Sequence, residues 1–385
     1  MKPLLPPPLS LYIHLPWCVR KCPYCDFNSH ELAGELPQTQ YVDALLTDLE
    51  RDLPTVWGRT ISSVFIGGGT PSLFSPDSID RLMNGIRARL TLHPDLEVTL
   101  EANPGTVEHG PWAEYLAVGV NRVSFGVQSF DDSKLAKLGR VHRSAEAADA
   151  LLAASAAGIE NINIDLMFGL PQQTVSEAVA DVTQALAFEP QHISHYQLTL
   201  EPNTVFAKYP PRLPSDDLRW EMQSRCHDML LAADFLQYEV SAFARPGREC
   251  QHNLNYWRFG DYLGIGAGAH SKVTDGASQS VSRAEKTKHP QRYLDKLGQG
   301  TAVAQTRVLN AQDLMFEFAL NALRLKQGFT VQQFEQTTGL DWVRDQAPWD
   351  QAIASGLLNV EPNISPSEKG WSLLNDLMEL FLPQC

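Results

Sequence analysis

Cys18, Cys22 and Cys25 fall in the segment IHLPWCVRKCPYCDFN, with the spacing CxxxCxxC. Three thiolates this close cannot all pair as disulfides, so the spacing points to a metal. Two chemistries suit it. Each thiolate can bind one iron of a [4Fe–4S] cubane, which leaves the fourth iron open. The amino and carboxylate groups of S-adenosylmethionine can chelate that iron, and an electron from the reduced cluster then cleaves the sulfonium. The alternative is zinc, which asks for four ligands, with His14 or His30 as the fourth. Trp17, Tyr24 and Phe27 suit a shielded cluster, although each taken singly also suits ordinary core packing. Of the other cysteines, Cys226 reads as a buried thiol and Cys385 as an exposed terminal one.

Further candidates lie downstream. In Gly67-Gly68-Gly69-Thr70-Pro71 the glycines expose backbone groups to a ligand, or simply make a tight strand-to-helix turn. No GK[ST] follows, so this is not a phosphate loop. Glu101 is placed to accept hydrogen bonds from ribose hydroxyls, or to cap the next helix. Gln128, Arg140 and Asp165 are polar residues at or near predicted strands. Each alone suits a salt bridge, and their shared position favours a site. The segment HNLNYW groups His252, Asn253, Tyr256 and Trp257. An imidazole can ligate heme iron and aromatic faces can cover a porphyrin, with Cys250 as a second soft ligand. The plainer reading is a capped turn with a hydrogen-bonded histidine. GIGAGAH, residues 264–270, lacks GxGxxG spacing and reads as a turn near the ligand pocket.

Six apolar, β-branched runs are expected as strands: 10–15, 63–66, 97–101, 122–127, 161–167 and 192–200. Helical patterns lie between them at 38–53, 76–90, 107–117, 145–157 and 175–188. Alternation of this kind predicts an α/β fold with a parallel sheet, right-handed crossovers and near-continuous apolar strands. The candidate residues then gather at the strand ends, where such folds bind ligands. Six units before residue 200 fit a partial (β/α)6 barrel better than a full eight-unit one. Residues 216–233 and 235–243 are expected to extend the sheet. The character changes near Pro290, which divides the chain into 1–290 and 291–385. Helices are expected at 311–325, 331–338 and 349–355, a small hairpin from 356–363 and 368–372, and a helix at 373–382. That order suggests a mainly helical, winged-helix-like C-terminal module.

The balance of 43% hydrophobic and 20% charged residues is that of a globular protein. The net charge of −14 gives no counterion-release drive toward RNA or DNA, so no nucleic-acid partner is expected. Pro6, Pro7 and Pro8 interrupt any apolar leader, and no run is long enough to span a membrane, so the expected location is cytoplasmic.

The CxxxCxxC loop followed by IGGGTPS resembles the radical S-adenosylmethionine superfamily. LYIHLPWCVRKCPYCDFN, FIGGGTPSLF, EANPG, NRVSFGVQSF, LGRVH, NIDLMFGLP and HNLNYWRFGDYLGIGAGAH together resemble the HemW-type heme chaperones, relatives of oxygen-independent coproporphyrinogen III dehydrogenase. The resemblance covers nearly the whole chain. It implies a radical-SAM partial barrel with a [4Fe–4S] cluster on Cys18, Cys22 and Cys25. It further implies S-adenosylmethionine contacts from Tyr12, Gly68, Gly69, Thr70, Glu101, Gln128, Arg140 and Asp165, and heme at His252. The implied partners are heme, heme-accepting respiratory proteins and an electron donor for the cluster. Transient membrane association and homodimerisation stay open. The dehydrogenases carry a fourth cysteine two residues after the third, where this chain has Phe27. They also carry an N-terminal extension that this sequence lacks. Both departures favour the chaperone over the enzymatic alternative, radical decarboxylation of coproporphyrinogen III.

Overall fold

The computed structural model describes residues 2–105, 111–343 and 345–383. The first half alternates strand and helix. The strands are β1 (Leu9–Leu15), β2 (Thr60–Gly68), β3 (Thr91–Ala102), β4 (Arg122–Gln128), β5 (Asn161–Phe168) and β6 (His192–Gln197). They pair in parallel in that order. The helices include α1 (Gln38–Asp52), α2 (Pro76–Arg87), α3 (Trp112–Ala117), α4 (Ser144–Ala156) and α5 (Val175–Ala187). The start of the helix expected at 107–117 lies outside the described residues. Local signals set these boundaries: Ser75 caps α2 ahead of Pro76, and a Thr174/Glu177 capping box opens α5.

The strands are not uniformly apolar, contrary to expectation. In β1, Leu9, Leu11, Ile13 and Leu15 are buried in the main hydrophobic core beneath the helices. Between them Ser10, Tyr12 and His14 point to the lumen, where Ser10 and Ser63 bond each other and Ser63 bonds His252. In β4–β6 a second lumen network joins Ser124, Asp165, Asn163 and His192. The sheet is therefore apolar toward its helices and polar inside, as in a barrel that binds polar ligands.

A seventh parallel strand, β7 (Asp261–Ile265), pairs with the far edge of β1. The segment read as a glycine-rich turn thus begins as a barrel strand, and only its end turns. Antiparallel strands β8 (His270–Asp275), β9 (Ser280–Lys286) and β10 (Val303–Val308) continue that edge. Helix α6 (Asp216–Ala232) follows β6, whose own edge is extended by Ala242–Ala244 and Leu236–Gln237 to complete a 12-stranded sheet. The sheet runs past the division expected at residue 290.

A second hydrophobic cluster forms beyond Val308. It gathers Phe318, Phe329, Phe334 and Trp349 from and around helices α8 (Ala311–Ala322), α9 (Val331–Thr338) and α10 (Ala347–Ala354). The hairpin that follows is Leu358–Asn359 against Ser365–Pro366. Residues 368–372, expected as its second strand, form a short helix after the Ser367 cap. Helices followed by this small wing give the C-terminal module its winged-helix-like order. Leu4, Phe259 and Val281 reach into the same cluster and fasten the module to the barrel.

Candidate functional site

The loop after β1 carries the cysteines and returns beneath the end of β2. Its anchors are backbone bonds: Gly69 N–H donates to Leu15 O at 2.8 Å, and Thr70 N–H to Trp17 O at 2.7 Å. Gly69 has no room for a side chain, since a Cβ would stand 2.5 Å from the Trp17 carbonyl oxygen. The glycine run is thus a close approach of two backbones as well as a turn.

Cys18, Cys22 and Cys25 line one cavity of about 130 Å³ together with Gly68, Gly69, Thr70, Glu101, Gln128, Arg140 and Asp165. Ten of the twelve expected site residues therefore meet at the carboxyl ends of the parallel strands. All three thiols are half-buried. Burial pushes the thiols of Cys18 and Cys25 up, holding them toward the protonated form. Arg140 stands over them, with Nη1 3.6 Å from Cys22 Sγ and Nη2 donating to Gly126 O at 2.6 Å and to Asn103 Oδ1. Its Nε is buried without a partner among the described residues.

Glu101 accepts the Gly68 N–H at 2.9 Å. Burial, and secondarily Asp165, push its carboxyl up to about 7, against the pull of the Gly68 bond. Burial also raises Asp165, which accepts from Ser124 Oγ and Asn163 Nδ2. Gln128 has φ +71°, a left-handed conformation rare for a side-chain-bearing residue, and accepts Tyr196 O–H at 2.7 Å. Sequence reasoning placed Asn103 at a strand end beside Glu101 but missed Tyr196 and Ser124 in this wall. Tyr196 stands near the end of β6, which was a usable signal.

Tyr12 lines a neighbouring, wider chamber of about 600 Å³, which shares Cys25, Phe27, Gly68 and Glu101 with the first cavity. His14 is not free for a metal: Nδ1 bonds Tyr12 O–H at 3.0 Å and Nε2 bonds Asn28 O at 2.8 Å. His30 Nε2 faces Asn28 Oδ1 at 3.3 Å. No three His, Cys, Asp or Glu side chains among the described residues converge closely enough to hold a single ion.

His252 borders neither cavity. Helix α7 (Gln251–Trp257) places it in the lumen, 1% exposed. Nδ1 bonds Ser63 Oγ and Nε2 bonds Tyr256 O–H, both at 3.0 Å. Burial pushes the imidazole down to about 3. In this conformation His252 offers iron no nitrogen, and the hydrogen-bonded reading of the segment describes it. Cys250 is fully buried beside Glu97, its thiol pushed up to about 12 by burial. Cys226 is buried, and Cys385 lies outside the described residues.

Comparison with known proteins places this geometry. The Radical SAM superfamily model matches residues 12–184, and the HemN C-terminal domain model matches 309–373. Heme chaperone HemW of Escherichia coli is 50% identical over 383 residues, covering 98% of this chain and 99% of that protein. The chain belongs to the HemW family. Heme chaperone HemW of Haemophilus influenzae is 46% identical over 98% of the chain and 99% of its own length. The Bacillus subtilis member is 34% identical over 97% of the chain and 99% of its length. The solved structure of coproporphyrinogen III oxidase (HemN) from E. coli superposes with a TM-score of 0.82, at 24% identity, over 98% of this chain and 90% of that one. The HemW-family chain thus has the radical-SAM barrel fold with its C-terminal module. No helix among the described residues is long and apolar enough to cross a membrane.

Proposed function

We propose that this HemW-family protein is a cytoplasmic heme chaperone: it binds heme and passes it to heme-requiring respiratory proteins. It carries a [4Fe–4S] cluster on Cys18, Cys22 and Cys25 and S-adenosylmethionine against the open iron. The observation that carries the cofactor reading is the shared cavity. Three thiols, two carboxyls and a guanidinium, all half-buried, meet in one space at the strand ends. Thiols that do not converge on a point suit a cubane, and His14, engaged through both ring nitrogens, is not free as a fourth zinc ligand. When bound, the cluster supplies an electron to the sulfonium.

The chain's own residues orient and shield. Glu101 accepts ribose hydroxyls, Asp165 and Gln128 hold the polar wall, and Arg140 offsets the thiolate charge beside Cys22. Tyr12 closes the cradle from the lumen side. The heme reading comes from the relatives, which are named heme chaperones. The test is an anaerobically reconstituted sample: about four irons and four sulfides per chain are expected, with an electron paramagnetic signal that S-adenosylmethionine alters and with uptake of hemin. Zinc without sulfide would overturn the cofactor reading. Conversion of coproporphyrinogen III to protoporphyrinogen by the same sample would favour the dehydrogenase instead of the chaperone.

A further inference from the structure

Heme cargo has two requirements that differ from those of a resident heme. Its iron must meet a ligand with a free lone pair, and an acceptor must be able to reach it. His252 meets neither, being sealed in the lumen with both ring nitrogens engaged. His270 meets both. It opens β8, its side chain is 51% exposed, and neither ring nitrogen makes a hydrogen bond among the described residues. Glu285, its cross-strand partner, stands with Oε1 3.9 Å from Nδ1. A small rotation brings that carboxylate to Nδ1, the arrangement that leaves Nε2 aimed at a metal.

The surroundings fit the rest of the cargo. His270 lines the 600 Å³ chamber, within the range of about 300–1,000 Å³ for small-molecule sites. Tyr256 and Tyr262 form one wall, packed edge to face with centroids 4.5 Å apart. Phe27 forms another and is 62% exposed, an aromatic face with nothing over it. A porphyrin is the kind of flat apolar ligand such faces cover. At the rim, Lys288 is exposed and its ammonium has no bonded partner among the described residues. It can meet a propionate. Asp26 shares that rim and limits how much negative charge the mouth accepts.

Resting on the chaperone reading above, we infer that this chamber is the heme site, with His270 as the exchangeable axial ligand and Lys288 at a propionate. Through Tyr256 the HNLNYW segment then builds the wall of the site, and His252 braces that tyrosine from behind.

The test is hemin titration of the reconstituted full-length protein, read by absorption, electron paramagnetic resonance and resonance Raman spectra. His270→Ala is expected to weaken binding about tenfold or more and to remove the imidazole-bound signature. Added imidazole should restore it. Lys288→Glu is expected to weaken binding as well. Circular dichroism and iron content confirm that the variants fold. Wild-type affinity and spectrum in His270→Ala would overturn the assignment. So would loss of the signature in His252→Ala with His270→Ala intact, which would move the iron into the lumen. A wild-type protein that takes up no hemin would sink the chaperone reading itself. Wild-type binding with an indifferent His270→Ala sinks only this chamber.

Discussion

Glu101 sits where two cavities meet, and its protonation is poised by competition between burial and a single backbone bond. Only the carboxylate form accepts from both ribose hydroxyls. With the group pushed up to about 7, S-adenosylmethionine affinity should rise as pH increases through neutrality. Calorimetric titration between about pH 6 and about pH 8 checks this, and Glu101→Gln should flatten the profile and weaken binding about tenfold or more. A profile that stays steep in the variant would place the titration elsewhere. At this scale the sequence was legible where chemistry follows from residue type and spacing, as for the cysteines. It was illegible where tertiary burial decides. His252 and His270 carry the same imidazole, and nothing local says that one is sealed and the other open.

Among the elements, the end of β2 packs tightly against the cysteine loop that follows β1. A Cβ at Gly69 would stand 2.5 Å from Trp17 O and 2.8 Å from Pro16 C, both backbone atoms that cannot rotate away. Gly69→Ala should therefore displace the segment leading to Cys18. The expected result is a folded barrel with markedly reduced iron and sulfide after reconstitution. Full cluster content would show that the loop yields. The strand and helix order up to residue 200 could be read from alternation, with most ends within a few residues, though β3 begins six residues before the expected 97. β7 could not, because its glycines look like a turn. Gly264 is in fact a strand residue where a Cβ would collide with the His270 carbonyl. Its absent side chain reflects a neighbouring backbone and not a bend. The polar lumen was also missed, since near-continuous apolar runs were expected of strands covered on both faces.

Across the whole molecule, buried neutral imidazoles are spread through the fold. Burial pushes His195 and His252 down to about 3 and His14, His142 and His227 down to about 4. A depressed histidine contributes stability that is complete above its ordinary value of 6.5 and is lost as pH falls toward its folded one. Glu101 and Asp181, pushed up to about 7 and about 6, and Asp52, Asp165 and Glu239, also raised by burial, act in the opposite sense, but these five are fewer than the eight lowered imidazoles among the described residues. Scanning calorimetry of cluster-free protein should show the unfolding midpoint falling from about pH 7 to about pH 5. A flat or rising midpoint would contradict it.

The placement of β1 has a consequence for how the molecule is made. β1 pairs on one side with β2 and on the other with β7, which begins only at Asp261. On a ribosome adding about 5–20 residues per second, the cysteine loop emerges roughly ten to fifty seconds before that second neighbour. During this interval the first strand has one bare edge and the wider chamber beside Cys25 lacks its Tyr256–Tyr262 wall. Nascent chains stalled short of β7 should be the form most prone to aggregate, and also the form whose cysteines are easiest for a metal-loading system to reach.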